Sequence, residues 1–361
     1  MHPTGGLSRN DMRESLAQDL KNVDEATQQR VHRDGALTDA ELNSLTTRPD
    51  ADPAVYFPDH ADENHVSNWE TVTPADEIRG EQAIRDGEVA FVLLAGGAGT
   101  RIGQPKILLR LPGMELSLLA WKLLQAGQMP VWVMTTPSMS QEIHKHISEL
   151  SLPAGLKGTV FEQFEGYRLT LDNRLSLVEG TPELYPLGHG DVGPSLIESG
   201  VLDENPTVKY VYVCNVDNVL ASPHPGVIGH HIRTGSPVTC EVVERKEGDR
   251  GGVVAWVKNQ LQVAEDFRLP PGFADESKYH NTNTMLINAD VLRWPIPWRW
   301  HRVRKQVDGR LVVQYERLLQ QYTEECDTDF LVVPREARYC PIKTPDDLEL
   351  AGKLLNGYRF Q

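Results

Sequence analysis

The sequence predicts an α/β protein, a mostly parallel twisted sheet with helices on both faces, preceded by a helical N-terminal extension. Three observations carry this reading. The runs EVAFVLLAGG, PVWVMTT and YVYVCNVDN are apolar without alternation, as parallel strands buried on both faces must be. LLAWKLLQAG and QEIHKHISEL between them carry helical spacing, and strands separated by helices form β-α-β crossovers. VTCEVVERK, GGVVAWVKNQ and LQVAEDF alternate more, and predict antiparallel additions in the second half.

Taken in order, SRNDMRESLAQDLKNV and DEATQQRVHRDG are helical in spacing, and TDAELNSL opens on a Thr that caps a further turn. TTRPDADPAVYFPDHADENH, with three prolines and many acids, reads as a linker or an arm wrapped over a second body. The expected boundary therefore separates residues 1–85, helical and extended, from a main domain over 86–361. VGPSLIESG and DDLELAGKLL are later helices, the second capped by Thr344 or Asp346. WPIPWRWHRVRK is expected to be a packed surface loop or contact site, and His230-His231 to be structural residues of a helix.

The length of 361 residues suits two domains or one large one, and 40% hydrophobic with 24% charged residues is ordinary globular usage. Against 36 Lys and Arg stand 51 Asp and Glu, a formal charge of −15. That balance opposes nucleic-acid and anionic-membrane partners, whose footprint is a basic surplus. It leaves a phosphorylated substrate open, because a few lysines and a divalent cation hold one locally. Cys214, Cys240, Cys326 and Cys340 form no C-x-x-C pair, so neither a disulfide framework nor a zinc knuckle is expected. No apolar run reaches a membrane span and MHPTGGLSRN lacks a signal-peptide core, so the expected location is the cytoplasm.

The turn after the first strong strand, Ala95-Gly96-Gly97-Ala98-Gly99-Thr100-Arg101-Ile102-Gly103, lets backbone N–H groups approach an anion at the carboxyl end of the sheet. It lacks the Gly-Lys-Ser/Thr ending of a Walker loop and the third glycine of the dinucleotide fingerprint. Arg101 and Lys106 lie within reach of the same anion, which favours phosphate. Asp217, closing the third buried strand in Cys214-Asn215-Val216-Asp217-Asn218, is either a Mg²⁺ ligand or the cap of a turn. In Gly188-His189-Gly190-Asp191 the glycines leave room for a ligand, the imidazole is a donor, and Asp191 reads as the N-cap of the next helix.

LAGGAGTRIG followed by Pro105-Lys106 resembles the signature of the sugar-nucleotide pyrophosphorylases, and GEQAIRDGEVAFVLLAGGAGTRIG is similar to their uridine-specific branch. LYPLGHGDVGPSLIESGVLD, YVYVCNVDNVL, KYHNTNTMLIN and VPREARYCPIKTPDDL resemble the UTP–glucose-1-phosphate uridylyltransferases, in the same order, from about Arg79 to about Leu355. One departure is the short Gly103–Lys106 spacing, and another is Thr284, where a second Asn is common. The resemblance implies a Rossmann-like nucleotidyltransferase core and a transfer from UTP to a sugar 1-phosphate, with Mg²⁺ and with glucose 1-phosphate favoured by G-H-G-D. A UDP-N-acetylhexosamine enzyme, a broad-range UDP-sugar pyrophosphorylase and a non-catalytic nucleotide-sugar binder are the alternatives.

Carried over residue by residue, the resemblance implies that Arg101, Lys106 and Lys343 are catalytic and that Asp217 holds the metal. Leu94, Ala95, Gly96, Gly97, Gln163, Gly188 and Asn215 would face the nucleotide, Gln163 reading uracil with its paired donor and acceptor. His189, Gly252, Glu265, Asn281 and Asn283 would face the sugar phosphate. Hexose members of the family commonly carry a C-terminal β-helix, which this sequence does not show after Lys343, so their assembly is not carried over.

Overall fold

The computed structural model describes residues 9–31, 57–96, 105–153, 156 and 158–355. The helix expected at TDAELNSL and most of the proline-rich segment lie outside them. By contact, the chain divides into two compact units. The larger is Val55–Glu162, Val192–Ile296 and Leu319–Gln361; the smaller is Gln163–Asp191, Pro297–Leu318 and the described part of Met1–Ala54. This division differs from a boundary after residue 85. Helix Pro74–Arg85 packs along helix Pro225–Thr234 inside the larger unit, and contact rather than chain order decides membership.

The larger unit is built on one sheet, running Ser67–Asn68, Thr328–Val332, Val238–Glu244, Tyr279–Asn288, Tyr210–Asn215, Val89–Leu94, Val131–Thr135, Gly158–Glu162. The neighbours are parallel except at Tyr279–Asn288, which opposes both of its own. Every residue of Val89–Leu94 and of Val131–Thr135 is buried, as their unbroken apolar runs demand. Val89, Phe91 and Leu93 share one core with Trp121 and Leu123 of helix Leu118–Gln125, Ile143 of helix Pro137–Glu149 and Leu355 of helix Pro345–Leu355. The expected antiparallel additions form too: Val253–Val257 and Gln260–Ala264 make a hairpin joined to the sheet at Val253–His280. Val238–Glu244 is antiparallel on one side only and parallel to Thr328–Val332 on the other.

Two helices fix the sheet's flank through a glycine crossing. A Cβ on Gly80 would overlap the Pro225 carbonyl, and one on Gly229 the Asp76 carbonyl. The backbones therefore approach more closely than any side chain permits. Thr73 and Asp76 cap the first helix reciprocally. Burial works against the fully enclosed Asp76 carboxylate, yet hydrogen bonds from Arg233 and Thr73 hold its pKa down to about 2. His230 and His231, buried on the second helix, bond Asp329 at 2.8 Å and both Thr239 and Asn288, which is the structural role the sequence suggested.

In the smaller unit, helices Arg9–Leu20 and Glu25–Val31 bring Leu16, Val23 and Val31 against Tyr167, Leu169 and Val313. The Trp-rich segment is only partly a loop, because His301–Val307 forms a hairpin with Arg310–Glu316.

Gly229→Ala should lower stability by about 1–3 kcal/mol, the usual cost of overpacking where backbone cannot yield. Urea unfolding should show a lower midpoint at unchanged slope. A wild-type midpoint would mean that the crossing relaxes freely.

Candidate active site

The sheet reverses direction of growth beside Val89–Leu94, with Val131–Thr135 on one side and Tyr210–Asn215 on the other. In open α/β sheets the crevice beyond the carboxyl ends at such a point receives the ligand. Leu94 is in register with Asn215, the Val216 N–H donates to the Leu94 carbonyl at 3.2 Å, and the Ala95 N–H to Met134 at 2.8 Å. Leu94, Ala95 and Gly96 thus lead out of the sheet beside Asn215 and Asp217. Gly97 and Arg101 lie outside the described residues.

Lys106 opens the turn Lys106–Leu108, and its ammonium is hydrogen-bonded to the Asp217 carboxylate. The pair is accessible, with side chains 21% and 18% exposed. Lys343 is brought to the same place by backbone pairing. The Ile342 N–H donates to the Asp217 carbonyl at 2.9 Å, and Asn218 bridges Pro341. Thr344 and Asp347 then cap helix Pro345–Leu355 reciprocally, which fixes the direction in which the chain leaves Lys343.

Beneath this turn lies a polar layer. Asn218 donates to the Arg338 carbonyl at 3.1 Å and accepts from the Cys340 N–H at 2.9 Å. The Arg338 guanidinium donates to both oxygens of Glu241, at 3.0 and 2.7 Å, and to the Tyr212 hydroxyl and Ser222 carbonyl. From the other side Lys122, wholly enclosed, donates to the carbonyls of Asn218 and Ala221. Burial pushes the Lys122 ammonium down to about 8 and the Cys214 thiol beside it up to about 11.

Gly252, Glu265, Asn281 and Asn283 form a second group. The Asn281 N–H donates to the Gly252 carbonyl at 2.9 Å, and the Asn281 amide to Asn283 at 3.0 Å. A Cβ on Gly252 would sit 2.9 Å from Glu265 Oε1. Gln320 donates to that oxygen, and burial raises the carboxyl to about 7. The Asn-Thr-Asn run is not a turn. It lies within Tyr279–Asn288, where the register shifts opposite Glu241 and Val242 and Asn283 takes φ 55°. His280 and Tyr339 link the two groups, because their ring nitrogen and hydroxyl meet at 3.1 Å and they feel the charges of Lys343 and Asp217 respectively.

Gln163, Gly188 and His189 belong to the smaller unit. Gln163 is buried, and burial lowers the His189 imidazole to about 4, so it is neutral at pH 7. Gly188 and Gly190 do not leave space for a ligand along their missing side chains, because the Arg317 backbone fills it. Asp191, expected as a helix cap, also ties its own element to distant chain. Its carboxylate accepts from Arg317 at 2.7 Å and from the Phe164 N–H at 3.1 Å, while Phe164, Trp298 and Trp300 surround that guanidinium.

Among the described residues no three His, Cys, Asp or Glu side chains cluster as a metal cage. Asp217 is a single accessible carboxylate, which suits a hard cation that keeps waters and takes its other oxygens from phosphates. A cavity of about 460 Å³, lined by Asn205, Lys209, Tyr210, Asn288 and Arg293, lies at the opposite end of the Tyr210–Asn215 strand. No helix among the described residues is long and apolar enough to cross a membrane.

Residues 59–355 match the family described as UTP–glucose-1-phosphate uridylyltransferase. The chain belongs to this family. It is 24% identical over 316 residues to the Hordeum vulgare protein of that name, covering 79% of this chain and 66% of that one. For the Musa acuminata protein of the same name the values are 26% over 320 residues, 79% and 67%. The chain thus spans about two thirds of the length of these relatives. Its fold is that of the UDP-glucose phosphorylase of Trypanosoma brucei, with TM-score 0.71, 20% identity, and 96% of this chain and 78% of that one covered. The UDP-N-acetylglucosamine pyrophosphorylase of the same organism gives 0.70, 17%, 98% and 85%.

Lys122, Glu241, Arg338, His280 and Tyr339, which lie beneath or between these groups, were not expected from the sequence. Lysine, glutamate and arginine read as solvated residues, and only a lysine inside the apolar run LLAWKLL gave a signal.

Glu265 should be visible in the pH dependence of folding. Its carboxyl is raised from 4.5 to about 7, so the stability it contributes is full below pH 4.5 and is lost as pH rises through 7. Glu265→Gln should flatten the unfolding midpoint across that window. An unchanged slope would place the carboxylate in water.

Proposed function

We propose that the chain is a uridylyltransferase that makes a UDP-sugar and pyrophosphate from UTP and a sugar 1-phosphate, with glucose 1-phosphate as the favoured acceptor. The observation that carries this is the gathering of Lys106, Asp217 and the Lys343 segment at the sheet's switch point in a member of this family. The sugar phosphate oxygen attacks the α-phosphorus in line and pyrophosphate departs opposite, so no covalent enzyme intermediate and no general base is required. The protein's contribution is positioning and charge stabilisation.

Each group then has a task. By the resemblance, Leu94, Ala95, Gly96, Gly97 and Arg101 are assigned to the triphosphate, and Asn215, Gln163 and Gly188 to the nucleotide. Lys106 neutralises Asp217 before substrate arrives and turns to the phosphates as it binds. Lys343 offsets charge where the two anions meet. Asp217 would hold Mg²⁺, which supplies further charge neutralisation at the phosphates. Glu265, Asn281, Asn283, Gly252 and the neutral His189 serve the sugar phosphate. A cytoplasmic location suits the four cysteines, each buried as a free thiol.

Pyrophosphate release from UTP across a panel of sugar 1-phosphates tests the reading. Turnover should be highest with glucose 1-phosphate, and no release with any acceptor would leave a nucleotide-sugar binder. Lys343→Ala should lower kcat by about 10²–10³ while sparing UDP-sugar binding; a change below about threefold removes it from the reaction. Asp217→Asn keeps shape and loses charge, so it should fold normally yet lose most Mg²⁺-dependent turnover. Near-normal turnover would make Asp217 a turn residue only, since Asn serves there equally well.

A further inference from the structure

Helix Leu118–Gln125 offers three side-chain donors to one short stretch of backbone. Trp121 donates its indole N–H to the Val219 carbonyl at 2.9 Å, and Gln125 donates its amide to the same carbonyl at 3.1 Å. Lys122, between them, donates to the carbonyls of Asn218 and Ala221. These residues follow Asp217 directly, where the chain has left Tyr210–Asn215 and a short antiparallel bridge pairs its backbone on one side, the Asp217 carbonyl accepting from Ile342 and the Val219 N–H donating to Cys340. Buried carbonyls without donors are costly, and an ammonium with three N–H bonds satisfies two of them from one atom. A lysine is an expensive choice for packing alone, since the site encloses it completely. Its charge faces Cys214, Asp217 and Glu241, with the Arg338 guanidinium opposing it.

We propose that Lys122 is a positioning residue: flanked by Trp121 and Gln125, it clamps the Asn218–Ala221 carbonyls and so sets the Asp217 carboxylate in the orientation that receives the cation–triphosphate. This rests on the function proposed above. Lys122 touches neither substrate nor metal; it acts through the turn. Groups of this kind change metal affinity by about 10- to 100-fold when removed.

The test separates a metal-directed role from a merely structural one. UTP affinity is measured by calorimetry with saturating Mn²⁺ and again with chelator, and the ratio reports what the cation adds. Lys122→Met should lower that ratio about tenfold while UTP binding in chelator stays at the wild-type value. Gln125→Leu, on the half-buried edge of the helix, should shift the ratio in the same direction by less, and decides the matter if Lys122→Met does not fold. Asp217→Asn calibrates the loss. A wild-type ratio in Gln125→Leu and in folded Lys122→Met, with the ratio lost in Asp217→Asn, overturns the clamp alone. Affinity falling equally with and without Mn²⁺ also overturns it, because that is the signature of a loosened fold. An unchanged ratio in Asp217→Asn, or no UTP binding by the wild type, overturns the cation reading of the proposed function and the role of Lys122 with it.

Discussion

The buried pair of Arg338 and Glu241 is the constraint on which the carboxyl end of the sheet depends. Glu241 stands on Val238–Glu244, and the Tyr212 hydroxyl that completes the pair on Tyr210–Asn215. Arg338 comes from the chain that returns after Thr328–Val332. One guanidinium therefore fixes the spacing of three chain segments, and the backbone carbonyl of the same residue accepts from Asn218. The Glu241 charge keeps the guanidinium protonated against the cost of its burial, while burial and the same charge push the Tyr212 phenol well above its ordinary range. Such a pair adds little net stability over apolar packing, but losing one partner strands a charge at a cost of about 3–5 kcal/mol. What it secures is arrangement.

That arrangement fixes the turn that carries Asp217. Asp217 has left the strand, yet its backbone is bound to Ile342, its neighbour Asn218 to Arg338 and Cys340, and the next carbonyls to a helix behind the sheet. Its carboxylate stays partly exposed and, among the described residues, is paired with Lys106. Rigid backbone beneath a charged side chain keeps that charge oriented without reorganisation.

The sheet was legible because its strands are buried on both faces and leave uninterrupted apolar runs, as in VAFVLL and VWVMT. Lys106 and Asp217 stood out by their places beside the glycine-rich turn and at a strand end, but their assigned roles, like that of Lys343, came only from the resemblance, since nothing local distinguishes a ligand-facing lysine from a solvated one. The two units were not legible. The smaller one is assembled from separate stretches of chain, and Leu16 meets Val313 through tertiary contact that no window of sequence contains. The glycines around His189 were misread for a related reason: the backbone that occupies their free side is Arg317, far along the chain.

Distance along the chain has a further consequence, for the order in which the molecule is made. The strands that flank the switch point pair residue 89 with residue 210, and Lys343 joins them from later still. Loops of that length close slowly, and parallel pairing gives no local reward on the way. During synthesis the first strands leave the ribosome with their pairing edge bare long before its partner exists. The crevice at the switch point is therefore a late product of folding, and a chain stalled before Tyr210 emerges leaves Val89–Leu94 with one edge bare.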